Sequence, residues 1–309
     1  MIASRTKWAL NVIWLSAFLI LIEAWIGWPA LLHPWLEQPT LSILGAICLL
    51  YISYSVRAIR LYSYFKLEAG VSYTICFKLI LQHNFFNNLL PMRSGEISFP
   101  LLMQRYFGTP MIRSTSALLW FRVLDLHTIL GLAAYFLIFF DVSFLLFLPA
   151  VMAWLCLPWL LYFFSIRLRT YLSNHGQTSV MHFLNKILSA LPESNAAFLY
   201  SWGWTLLNWL IKLVVLTGIL RLFLDIPINV AWLGVIAGDL TSILPVHSVG
   251  GIGTYEAGIV GALLPFGISA EDAASGAVNL HFFVLSTAFL GYGIAQLIPF
   301  SPRETVKSK

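Results

Sequence analysis

Hydrophobic residues in this chain run in long blocks. Six of them, residues 8–27, 41–61, 117–140, 144–166, 198–220 and 273–298, exceed the roughly 18 apolar residues that a helix needs to cross a bilayer. Two more apolar stretches, residues 72–107 and 230–266, are each interrupted by the same pattern, Leu-Pro-x-(Arg/His)-Ser. The copies are Leu90-Pro91-Met92-Arg93-Ser94 and Leu244-Pro245-Val246-His247-Ser248. A proline, free backbone and a charge at bilayer depth are tolerated only where protein or a wet cavity satisfies them. The arm entering the first break carries Gln82, His83, Asn84, Asn87 and Asn88, too many polar groups for a lipid-facing helix. The arm leaving it, residues 96–107, would reach only about 18 Å at 1.5 Å per residue, roughly half the hydrocarbon thickness. Each broken stretch is therefore expected to return to the side it came from.

The order then reads span, span, hairpin, span, and repeats. Three crossings per half put the second half upside down, which predicts an inverted-topology repeat. The expected fold is an all-α polytopic membrane protein of six transmembrane helices plus two oppositely oriented re-entrant helical hairpins. It forms a single integral membrane domain over residues 1–309, with halves at about 1–140 and 141–309. A polar segment near 167–192 joins the halves.

Composition agrees: 59 % of the 309 residues are hydrophobic and 10 % charged. The net charge of +5 would suggest nucleic acid in a water-soluble chain, but here it reports orientation. Thirteen Lys and Arg, from Arg5 and Lys7 through Arg57, Arg60, Lys66, Arg105, Arg113, Arg167, Arg169 and Lys186 to Arg303, Lys307 and Lys309, fall on one side of the proposed spans. Only Arg221 falls on the other, so both termini are expected in the cytoplasm. The first block is too long for a cleavable signal and ends in interfacial tryptophans, which predicts a retained span. Cys48, Cys76 and Cys156 stand alone, without disulfide or metal-ligand spacing, and are expected in the core.

The candidate chemistry lies where the two breaks would meet. Exposed amides of helix starts there suit a phosphate, and Gly250, Gly251 and Gly253 leave backbone N–H groups uncovered, either for an anion or for close helix packing. Ser94 and Thr254 are placed to cap helices in which Glu96 and Glu256 occupy the first turn. Arg93 has two compatible readings, a pair with Glu96 and a donor to a head group. His247 holds the matching place and is either a proton carrier or a satisfied structural histidine. Arg122 and Asp125 share a helical face and predict a local ion pair, while Asp239 and Lys212 can pair between helices. Asn87, Asn88, Pro91 and Pro245, with Ser248, complete the expected substrate-binding set. No catalytic constellation, metal-ligand spacing or nucleotide-binding loop is present, so no cofactor and no enzymatic activity are expected.

With these residues in place, the chain resembles the flippase-like family related to the lysylphosphatidylglycerol synthase transmembrane region. The resemblance rests on Asn87 to Glu96, on Leu244 to Glu256, and on Arg122 with Asp125. It implies a bacterial or archaeal inner-membrane protein that moves an amphipathic lipid or lipid-linked group between leaflets. Three charges common in the family are replaced by Phe99, Tyr255 and Phe121, which leaves the head group open. Eleven residues follow Ile298, and no aminoacyl-transfer domain is expected there. The expected function is movement of a phospholipid or polyisoprenyl-linked head group through a central polar cavity. The alternative is a lipid-binding accessory subunit that transports nothing. A membrane lipid is the expected partner, with a membrane enzyme or a second copy of the chain left open, and no nucleic acid.

Overall fold

The computed structural model describes residues 27–66, 71–137, 144–175, 194–241 and 248–300, with Ser16, Ile20, residues 22–24, Met181, Leu188 and Leu191. Every regular element among them is helical. In chain order these are α1 (Trp28–Glu37), α2 (Thr40–Phe65), α3 (Tyr73–Leu89), α4 (Ser98–Phe107), α5 (Met111–Leu137), α6 (Phe144–His175), α7 (Asn195–Phe223), α8 (Ile228–Thr241), α9 (Thr254–Leu263) and α10 (Ala270–Leu297). Tighter 3-10 segments cover Pro91–Ile97, Val249–Gly251 and Leu264–Phe266.

Six stretches among the described residues are long and apolar enough to cross a membrane: Thr40–Phe65, Met111–Ala134, Leu148–Leu172, Asn195–Phe223, Val249–Phe266 and Ala270–Leu297. Five coincide with expected spans, with shifted ends. The expected span at 8–27 lies almost wholly outside the described residues. The sixth, Val249–Phe266, falls on the exit arm of the second broken stretch and is not one continuous helix. Its α-helical part is Thr254–Leu263, flanked by two 3-10 turns, and spans only about 15 Å.

Helix α1 was not anticipated; Pro29 in its first turn suits a helix start, and Trp35 ties it to α10 by donating to Asn279 Oδ1 at 2.5 Å. Helix α6 runs on to His175, so the expected polar linker starts later than residue 167; its remainder is described only at Met181, Leu188 and Leu191. Ser194 caps α7 by accepting from the Ala197 amide at 3.2 Å. Only Cys76 is buried. Cys48 and Cys156 sit on outward faces, a correction to the core expectation: a lipid-facing surface is as apolar as an interior, so an apolar setting did not identify one.

The packing has a simple pattern. Helix α2 lies along α7; α3 packs on α2 and α10, while α8 packs on α7 and α5. Helix α4 packs on α5, α9 packs on α10, and the Pro91–Ile97 and Val249–Gly251 turns touch one another. Within the second arm pair, a Cβ on Gly258 would fall 2.8 Å from Ala237 O and 2.5 Å from Thr241 Cγ2, so α8 and α9 approach with almost no side-chain spacing.

Candidate functional site

The first break is local chemistry. Leu90, forced extended by the proline after it, has ψ 136° and ends α3. The chain then tightens into the Pro91–Ile97 segment, where Arg93 takes a left-handed φ of 57°, the one non-glycine among the described residues to do so. That conformation costs an L-residue roughly 1–2 kcal/mol. It places the guanidinium over Glu96, with Nη2 to Oε1 at 2.7 Å. Glycine enters this region freely, so Arg93→Gly is expected to unfold at higher temperature than Arg93→Ala, by about 1 kcal/mol of stability. Equal melting of the two variants would show that the backbone stores no strain. Ser94 does not cap α4; its hydroxyl donates to the Pro91 carbonyl at 2.7 Å.

The second break uses glycine. Gly250, Gly251 and Gly253 all have positive φ, which other residues rarely adopt. Gly253, not Thr254, starts α9, and its amide donates to Glu256 Oε2 at 2.7 Å; the Thr254 hydroxyl turns back to the Gly251 carbonyl at 2.9 Å. The Gly251 and Ile252 amides are likewise engaged, by the Ser248 and Val249 carbonyls at 3.1 and 3.4 Å. Three amides of the glycine run that were candidates for an anion are therefore donated within the turn itself, and the close approach of α8 and α9 at Gly258 lies outside that run. Pro245 and His247 lie outside the described residues.

Between the breaks lies a cavity of about 280 Å³. Of the expected residues it is lined by Asn87, Asn88, Arg93, Arg122, Asp125, Asp239 and Gly250. Glu96 stands just behind, bridging Arg93 and Arg122, the latter through Nη2 at 2.6 Å. Pro91, Ser94, Ser248, Gly251 and Gly253 shape the two turns without lining it, and Glu256 sits behind His281, Oε1 to Nδ1 at 2.7 Å.

The charges form an interhelical network. Asp125 takes Arg60 Nη1 from α2 at 2.8 Å, Trp209 Nε1 from α7 at 3.2 Å and Arg122 Nη1 at 3.4 Å. The expected Arg122–Asp125 pair is thus present but longer than the contact each makes elsewhere. Lys212 reaches Asp239 between α7 and α8 at 2.8 Å. Arg60, almost fully buried, also donates to Thr205 Oγ1 at 2.7 Å and lies 4.4 Å over the Phe121 ring.

Tyr54, Arg57 and Trp209 line the cavity without having been expected there; Lys212 was expected only as a partner of Asp239, Tyr255 only as a replaced family charge, Asn84 only as part of a polar arm, and Asn208 and His281 only as polar groups of the second half. Arg57 and Arg60 had been counted as loop charges, yet both lie inside α2. Their spacing of three within an apolar run was the available signal. On α5, Leu119, Val123 and Leu126 form one stripe that lines the cavity while remaining 59, 41 and 38 % exposed. The cavity therefore opens sideways past apolar side chains.

No curated protein and no solved structure gives a match to the chain. A family does: residues 8–291 match the family described as the lysylphosphatidylglycerol synthase TM region. With its long apolar helices and this match over most of its length, the chain is a multi-pass membrane protein that belongs to the lysylphosphatidylglycerol synthase transmembrane-region family.

Proposed function

We propose that this protein moves the head group of a membrane lipid between leaflets through the cavity bounded by α2, α3, α5, α7, α8, α9 and α10. One observation carries the reading: four cations, two carboxylates and four asparagine amides converge on one cavity inside an apolar helical bundle. The barrier to lipid movement is removal of a polar head group from water, and pre-placed charges and amides lower it without covalent chemistry. The apolar stripe on α5 lets acyl chains remain in the bilayer meanwhile. The reading assigns no reaction and no cofactor.

An inverted repeat belongs to this reading, and part of the packing is what a two-fold exchange of the halves would give. Exchanging α2 with α7, α3 with α8, α4 with α9 and α5 with α10 carries the α2–α7 contact onto itself, α3–α10 onto α8–α5, and α4–α5 onto α9–α10. In this reading the two arm pairs are re-entrant and enter from opposite faces, and rocking of one half on the other alternates access. The reading keeps both termini in the cytoplasm of a cell inner membrane, and the eleven of the thirteen charges that remain on one side once Arg57 and Arg60 are removed support it.

The test is lipid movement in reconstituted vesicles with leaflet-resolved detection. Arg93→Ala and Glu96→Ala are each expected to slow movement at least about tenfold, because each removes a charge from the bridge at the first break. Unchanged rates in both variants would remove the proposed site. Lipid binding without movement by the wild-type chain would make it an accessory binding subunit instead.

A further inference from the structure

Arg57 is the cavity cation that no carboxylate meets among the described residues. Its one hydrogen-bond acceptor there is Asn84 Oδ1 at 3.4 Å, a neutral amide at the outer limit of a bond. Arg60, three residues on, is in contrast held by Asp125 at 2.8 Å. Among the described residues around the cavity, Arg57, Arg60, Arg93, Arg122 and Lys212 face Glu96, Asp125 and Asp239, five cations against three carboxylates. Even with Glu256 counted as ionised and His281 as neutral, one positive charge is left over.

A guanidinium withdrawn from bulk water with no carboxylate in contact is costly, and a bound anion is a group that relieves it. The surroundings suit one rich in oxygen. Asn84, Asn87 and Asn88 line the same wall, and the hydroxyl of Tyr255, which also lines the cavity, is buried with no hydrogen-bond partner among the described residues. Arginine and amide donors match the acceptor-only oxygens of a phosphate.

Resting on the reading of this cavity as a head-group site, we propose that Arg57 and Asn84 bind the phosphate of a phospholipid with net negative charge, and so select anionic over zwitterionic lipids. A choline or ethanolamine head brings its own cation and leaves the surplus uncancelled. The apolar opening at Leu119, Val123 and Leu126 favours a lipid over free phosphate as the source of the anion.

The experiment is native mass spectrometry of the purified full chain offered equimolar dioleoylphosphatidylglycerol and dioleoylphosphatidylcholine, with a parallel titration of inorganic phosphate. The wild-type chain is expected to retain the anionic phosphatidylglycerol about tenfold better, the size of one charge-assisted contact. Arg57→Gln is expected to abolish that preference and Arg57→Lys to keep part of it. Asn84→Asp is the decisive variant, since it hands Arg57 an internal carboxylate: the preference should vanish while the melting temperature holds or rises. Equal retention of both lipids by wild type, or an unchanged preference in Asn84→Asp, would overturn the assignment. Binding of inorganic phosphate that disappears in Asn84→Asp, without preference between the lipids, would overturn its lipid part. Failure of the two readings is distinguishable: retained lipid preference without leaflet movement sinks translocation alone, and movement without preference sinks this selectivity alone.

Discussion

Asp125→Ala is expected to cost about 3–5 kcal/mol of stability, the range for breaking a buried ion pair from one side. Asp125 is 5 % exposed at its side chain, as is Arg60 facing it at 2.8 Å. The same carboxylate takes Trp209 Nε1 and Arg122, so its loss strands groups on α2, α5 and α7 together. Thermal unfolding in detergent, followed by tryptophan fluorescence, gives the measurement. Asp125→Asn should fall between wild type and Asp125→Ala, because it keeps an acceptor oxygen but no charge. Adding Arg60→Met to Asp125→Ala should recover much of the loss, since the penalty comes from the stranded guanidinium rather than from the missing pair. Wild-type melting of Asp125→Ala would mean that this network does not join the helices energetically.

Gly95→Ala is expected to disrupt the first break outright. A Cβ there would lie 2.3 Å from Phe86 O and 2.5 Å from Asn87 Cα, both backbone atoms of α3 that no rotamer change can move aside. Relief requires the Pro91–Ile97 segment to lift off α3, which overpacking data place at about 3 kcal/mol or more. That shift would carry Arg93 and Glu96 with it, so lipid movement should be lost along with stability. Gly218→Ala on α7 is the matched control. Nothing lies within 4 Å of its Cβ position, and alanine there should gain about 0.5–1 kcal/mol from helix propensity alone. Similar melting temperatures for the two variants would show that Gly95 is not the close-approach point its surroundings require.

Much of the bundle could be read from the chain. Residues 41–61 and 198–220 lie within helices because a long apolar run in lipid has to satisfy its own backbone. Leu90 was a legible stop for the same local reason, the proline that follows it. The Arg93–Glu96 contact was legible too, from a spacing of three residues. The fate of the glycine amides was less so: whether Gly253 N faces a ligand or Glu256 Oε2 depends on the φ values of Gly250, Gly251 and Gly253, which sequence leaves free.

Sequence by itself determined where the chain is apolar, where Pro91 and the glycine run interrupt it, and which charges can meet within one turn. Only the tertiary structure decided that Arg60 meets Asp125 across 65 positions, that Glu96 also holds Arg122, that Lys212 reaches Asp239 and that Glu256 holds His281. The reason is rotational. A helix in water shows its buried face by its hydrophobic period, but α6, α7 and α8 are apolar nearly all round. With lipid and protein faces chemically alike, the apolar spacing does not set how each helix is turned about its axis, and that angle selects which distant charges share the cavity.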